Sequence, residues 1–198
     1  MNFFKYAIAA IACVFAVTAY AASPKSSGYL SDYAHLVEGE YLEAYWIDMA
    51  AIERSKSPAI GLGKISAIGV KDHKGVTVDN CVTWLKSDLQ GKLISASYTD
   101  ARYKLDLAIT HMDPGSAAKR IWAGEFGAGH AQLQIEGIVI DTESGEVVAE
   151  FAERRRSSGA IGIEDVGGDA GPHIIEHLVS LIAADANSEL QASFTVRE

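Results

Sequence analysis

Alternation of apolar and polar residues in the second half of the chain is the feature that most constrains the fold. It runs through residues 102–112 and recurs at 131–139 and 147–154, where a short polar segment ending in Gly145 separates the last two stretches. A period of two places successive side chains on opposite faces of a strand. The pattern therefore predicts a strand followed by a β-hairpin, in a sheet with one buried face. His111 lies in phase with the apolar positions and is predicted to continue the apolar face.

Two other segments carry the helical period. Residues 77–90 place apolar side chains every three or four positions, with Cys81 on the same stripe, and residues 172–191 repeat the pattern behind Pro172. Residues 61–70 form a short apolar stretch typical of a strand. The order β-α-β-β-β-α predicts an α+β two-layer sandwich, with a mixed or antiparallel sheet of about four strands and two helices packed on one face.

The first 21 residues have the three parts of a secretory signal peptide. Lys5 provides a positive start, residues 6–20 are almost wholly apolar, and Ala19-Tyr20-Ala21 offers small residues at the −3 and −1 positions. The apolar run is shorter than the ~20 residues that a membrane-spanning helix needs. We therefore predict cleavage after Ala21, an N-terminal arm at residues 22–40 and a single α+β domain at residues 41–198.

Cys13 leaves an alternative open, because a bacterial lipoprotein is cut just before a cysteine that then carries lipid. Ala12 supplies the small residue before it, but Ala10 stands where such signals usually have leucine. We expect a periplasmic protein without a transmembrane span in the mature chain. Lipid anchoring through Cys13 and an uncleaved anchor are the alternatives.

Charge and cysteine content exclude several classes of protein. The chain has 17 basic and 26 acidic residues and a formal net charge of -9. An acidic surface repels a phosphate lattice, which argues against nucleic acid as a partner. Only Cys81 remains after the predicted cleavage, so no intramolecular disulfide can form. No nucleotide or cofactor motif is present, and we expect no cofactor.

Two segments are candidates for ligand contact. Arg154-Arg155-Arg156 is the densest positive cluster of the chain and could meet an anionic headgroup, a glycan or an acidic partner. The alternative is a strand end whose arginines pair with nearby glutamates. Gly127 and Gly129 belong to a glycine-dense segment that lacks the lysine of a phosphate loop, and Arg120 is the charged residue that would contact a ligand there. The alternative there is a tight backbone crossing.

His173, Glu176 and His177 match the H-x-x-E-H pattern of inverted zinc peptidases. Two histidines four apart on a helix can share one zinc ion, and the glutamate could activate a bound water. Only 21 residues follow His177, which leaves little room for the downstream third ligand of such enzymes. The competing interpretation is a pair of solvated histidines beside the buried stripe of the helix.

Several segments resemble two families of exported bacterial proteins. Residues 27–33 resemble the start of domain-of-unknown-function family 3313. A larger set resembles family 4410, with the strongest likeness over residues 103–170: residues 105–107, 113–116, Arg120, 126–129, 141–147 and 167–169. This resemblance implies a secreted or lipid-anchored envelope protein of a Gram-negative bacterium with a small α+β domain. These families have no assigned catalytic residues, so none is carried over.

These observations predict an exported periplasmic or cell-envelope protein of non-enzymatic type that binds another envelope protein or component. A zinc-dependent hydrolase using His173, Glu176 and His177 is one alternative, and an outer-membrane lipoprotein anchored at Cys13 is another. The hairpin could also expose a strand edge, which leaves a homodimer open.

Overall fold

A computed structural model describes residues 19–21, 23–54, 59–90, 92–93, 101–116, 129–157 and 170–194. Within these ranges the chain forms one six-stranded sheet and three helices, which confirms the α+β fold. The strands are β1 (Ala19–Ala21), β2 (Ala44–Ile47), β3 (Ile60–Ala67), β4 (Tyr103–Asp113), β5 (Gln132–Asp141) and β6 (Val147–Ser157). The helices are α1 (Met49–Arg54), α2 (Val78–Leu89) and α3 (Ala170–Phe194).

The expected count of about four strands is too low. The sheet order is β6-β5-β4-β3, with β1 and β2 both paired antiparallel to β6 along different parts of its outer edge. Strand β3 pairs parallel to β4, and β4, β5 and β6 are antiparallel neighbours, so the sheet is mixed. The two additional strands have only three and four residues. Such short strands are too brief to show a period of two.

Both long helices pack on one face of the sheet. Cys81, Leu85 and Leu89 of α2 are buried in one apolar cluster with α3 and the inward residues of the strands. Helix α2 begins where predicted because Thr77 caps it: its side chain accepts from the backbone N–H of Asn80, and the Asn80 side chain accepts from the backbone N–H of Thr77. On the same face, Phe151 lies across Gly137, where an added Cβ would collide with the ring.

His111 does not continue the apolar face, and that expectation is wrong. The register between β4 and β5 shifts between Ile109 and His111, as in a β-bulge. The extra residue changes the phase of the strand, so Met112 is buried in the core and His111 pairs with Gln134 on the opposite face. A one-residue bulge is invisible in a pattern of residue types.

The face of the sheet opposite the helices is covered by the N-terminal arm. Gln134 and Glu136 lie on that face and are buried. Lys25 and Gln134 exchange two hydrogen bonds: the Lys25 N–H donates to Gln134 Oε1 at 2.9 Å, and Gln134 Nε2 donates to the Lys25 carbonyl at 2.6 Å. The Tyr33 hydroxyl donates to Glu136 Oε2 at 2.5 Å. The alternation alone predicts that this face is exposed to solvent. Because the arm covers it, its polar side chains are buried instead.

In the part of the chain that the structure describes, no helix has the length and apolar character needed to cross a membrane.

Candidate functional site

Three consecutive arginines occupy the C-terminal part of β6 and lie on alternating faces. Arg154 and Arg156 pair with Gln134 and Gln132 of β5, on the face that the arm covers. Arg155 pairs with Leu133, on the face that carries the helices. We call residues 154–157 of β6 the arginine edge, because they lie on the side of β6 away from β5, where only the three-residue strand β1 follows among the described strands.

Arg155 is held in an ion-pair cluster between the sheet and α3. Its Nε lies 2.8 Å from Glu153 Oε1, and its Nη2 donates to Asp185 Oδ2 at 2.6 Å. The Glu43 N–H donates to the other Glu153 oxygen at 2.6 Å. Burial raises the pKa of Glu153 to about 7, although the Glu43 N–H and Arg155 oppose that shift. For Arg155, the interpretation as a charge paired with nearby acids is therefore the one that the contacts favour.

Arg154 has a different environment. It is 5% exposed, and its Nη2 donates to Gln132 Oε1 at 2.5 Å. Its Nη1 is buried and has no hydrogen-bond partner among the described residues, and no ion pair joins Arg154 to a carboxylate of the described chain. Burial and then the neighbouring Arg156 lower the pKa of Arg154. A desolvated guanidinium with one neutral partner is an unfavourable arrangement that an anion would relieve.

His111 lies near this charge. Its pKa is lowered, first by burial and then by the positive charge of Arg154, with Lys25 and His73 contributing in the same direction. Asp113 opposes the shift. Arg154 and Lys25 are thus positive neighbours of His111, and Asp113 is its acidic neighbour.

The outer margin of β6 is filled by two segments. Strand β2 pairs with residues 149–152, and β1 pairs with residues 155–157 in the register Ala19–Ser157, Tyr20–Arg156 and Ala21–Arg155. The segment that lies against the arginine edge is thus the end of the predicted signal peptide.

The H-x-x-E-H residues lie on the exposed side of α3. His173 Nδ1 is 3.8 Å from Glu176 Oε2, and their side chains are 85% and 48% exposed. His177 is also exposed. Over the described ranges, no group of three or more histidine, cysteine, aspartate or glutamate side chains is placed to hold a metal ion. The structure brings His173 and Glu176 together and places no third ligand beside them within those ranges.

The glycine-dense segment is only partly described. Arg120 and Gly127 lie outside the described residues. Gly129 has a φ of 77°, in the left-handed region that favours glycine, and its carbonyl accepts from the Ser116 N–H at 2.9 Å. A Cβ on Gly115 would collide with that same carbonyl. At Gly129, therefore, the geometry is that of a tight backbone crossing.

A buried polar cluster beneath the arm was not foreseen from the sequence. One Glu136 oxygen accepts from Thr110 Oγ1 and Gln134 Nε2, each at 2.8 Å. Nearby, His35 Nε2 lies 2.7 Å from Glu150 Oε2 and its ring packs edge-on against Trp46. The alternation correctly puts Glu136 and Glu150 opposite the core, but it contains no signal that the arm covers them.

Comparison with known proteins confirms the resemblance to a domain of unknown function. The family model of DUF4410 matches residues 71–162, which include α2 and strands β4 to β6. The resemblance to family 3313 stays a prediction. No curated protein matches the chain.

Several solved structures are similar to this chain at low identity. The PelC dodecamer from Paraburkholderia phytofirmans is 15% identical, with 64% of this chain and 89% of that chain covered and a TM-score of 0.38. The hypothetical protein CT253 from Chlamydia trachomatis is 12% identical, with 67% and 98% covered and a TM-score of 0.41. A minor lipoprotein from Acinetobacter baumannii is 15% identical, with 66% and 91% covered and a TM-score of 0.31. Likeness at this level does not establish a shared function.

Proposed function

We propose that this protein is exported to the bacterial cell envelope and acts there as a non-enzymatic module that binds another envelope component. The observation that carries the proposal is the three-part leader at residues 1–21, with Lys5, an apolar stretch and Ala19-Tyr20-Ala21. The buried residues of the apolar core that the structure describes lie between Leu42 and Phe194.

The use of the buried charges supports a binding role over a catalytic one. Glu136, Glu153 and Glu189 are buried, and each accepts hydrogen bonds from the arm or the segment after it. Glu189 Oε2, for example, accepts from the backbone N–H groups of Tyr41 and Leu42 at 2.7 and 3.2 Å. These carboxylates fasten the N-terminal part of the chain to the domain, which is a structural task.

Export is tested by producing the whole chain in a Gram-negative host and fractionating the cells. We expect the wild-type chain in the periplasmic fraction with Ala22 as its first residue. The Ala21→Leu variant should keep its leader, because signal peptidase needs a small residue at the −1 position. The Cys13→Ser variant should be processed like the wild type. A wild-type chain that stays in the cytosol with its leader attached would refute the export proposal.

The two alternatives are separated by further measurements. Loss of membrane association in Cys13→Ser, with a lipid mass on the wild-type chain, would establish a lipoprotein instead. Zinc that copurifies at one equivalent and is lost in His177→Ala would establish a metal centre and contradict the non-enzymatic proposal. We expect neither result.

A further inference from the structure

We propose that the mature protein uses the arginine edge to bind an extended, acidic segment of a partner protein, which adds to the sheet antiparallel to β6 in the place that β1 holds in the full chain. This inference rests on the proposed cleavage after Ala21. It names a surface and a class of partner for the binding module.

Strand β1 lies at the end of the predicted leader. This strand consists of Ala19–Ala21 and ends at the residue after which cleavage is predicted. Cleavage would remove the whole of β1. Residues 155–157 would then keep β5 on one side and lose β1 on the other. Strand β2 covers only residues 149–152, so it does not replace β1 there. A strand edge with unpaired backbone groups is a template for another strand.

The full chain shows the geometry of such an addition. Tyr20 and its two neighbours align antiparallel with Arg155, Arg156 and Ser157, one residue opposite each. A partner segment in the same register would run antiparallel to β6, as β1 and β2 do, and would lie on the same side of β6. Strand β6 in this conformation therefore accommodates an antiparallel strand at residues 155–157.

The charge of the arginine edge selects the partner. In the full chain Arg154 is buried, and one of its guanidinium nitrogens has no hydrogen-bond partner among the described residues. The one side-chain hydrogen bond that it makes to those residues is to the neutral Gln132. A carboxylate on the added strand, on the face shared by Arg154 and Arg156, would supply a counter-ion. A second copy of this chain pairing through the same edge would set arginines opposite arginines, and like charges directly opposite one another destabilise a sheet. The partner is thus an acidic segment of a different protein.

The proposal is tested with purified mature chain, residues 22–198, and two synthetic peptides. The acidic probe is Thr-Glu-Thr-Glu-Thr-Glu-Thr, and the matched control replaces every glutamate with lysine. Binding is measured by fluorescence anisotropy, and amide hydrogen exchange locates it on the protein. We expect the acidic peptide to bind at least roughly ten-fold more tightly than the basic one and to slow exchange in residues 155–157.

Three protein variants complete the experiment. Arg154→Gln should weaken binding of the acidic peptide roughly ten-fold. Lys64→Gln removes an exposed positive charge from β3, at the opposite edge of the sheet, and should leave binding unchanged. A chain of residues 17–198, which retains β1, should bind the peptide at least roughly ten-fold more weakly because its edge is occupied.

Several results would overturn the proposal. These are equal binding of the two peptides, no binding, protection away from residues 155–157, or equal binding by the chains with and without β1. Failure of residues 22–198 to fold would show that β1 is integral to the sheet, which also overturns it. If anionic vesicles protect these amides and the acidic peptide does not, the edge binds lipid instead. Because all of these assays use purified chains, they are independent of whether export occurs in cells.

Discussion

The attachment of the arm to the sheet yields a quantitative prediction for Tyr33. Its hydroxyl donates to Glu136 Oε2 at 2.5 Å and accepts from the Ser27 N–H at 3.1 Å. Glu136 is fully buried, and Thr110 and Gln134 both donate to its other oxygen. The Tyr33→Phe variant keeps the ring in place and removes the only hydrogen bond that the structure gives to Oε2 among the described residues.

The expected cost follows from the charge and burial of Glu136. A hydrogen bond to a charged group contributes about 1.5–3 kcal/mol, and a buried oxygen left without a donor brings the loss toward the upper end of that range. We expect Tyr33→Phe to lower the free energy of unfolding of the mature chain by about 2–3 kcal/mol. The measurement is urea unfolding followed by tryptophan fluorescence.

Tyr41→Phe is the matched control for this prediction. The Tyr41 side chain is 42% exposed, so the loss of its hydroxyl should change stability by less than about 0.5 kcal/mol. A double-mutant cycle with Glu136→Gln should show a coupling energy of at least about 1 kcal/mol. If Tyr33→Phe is as neutral as Tyr41→Phe, the hydrogen bond does not hold the arm and the reasoning is wrong.

Three further predictions concern the core and its charges. Burial raises the pKa of Glu153 from 4.5 to about 7, so between these pH values the folded chain holds a proton that the unfolded chain has lost. The free energy of unfolding should therefore fall by roughly 3 kcal/mol as the pH rises from 4.5 to about 7. Glu153→Gln should remove that slope in urea titrations at several pH values, and an unchanged slope would assign it to another group. Gly137→Ala should cost at least about 2 kcal/mol by thermal unfolding, since its Cβ would collide with Phe151, and a neutral result would contradict that packing. Burial raises the pKa of the Cys81 thiol to about 11, so a thiol reagent should label it only after unfolding, and rapid labelling of native protein would show that it is accessible.

The elements that could be predicted from the sequence are those whose signal is local. Strands β4, β5 and β6 show the period of two over eight or more residues, and α2 and α3 show an apolar stripe. Strand β2 could not be assigned because aromatic residues around it suit a helix or a strand equally well, and its pairing with β6 decides between them.

The candidate site depended on contacts between distant parts of the chain. The sequence identified the three arginines as a positive cluster at the end of a strand. It could not show that Arg155 meets Asp185, which lies 30 residues further along the chain, or that Lys25 meets Gln134 across 109 residues. The burial of Arg154 and Glu136 comes from such contacts, and residue types alone do not encode it.

The most direct test of the export proposal is the intact mass of the protein purified from the envelope of its own cells. We predict a chain of 177 residues, the 198 of the full sequence less the 21 of the leader, beginning at Ala22 and carrying no lipid. A chain that begins at Met1, or one that begins at Cys13 with a lipid mass, would contradict it.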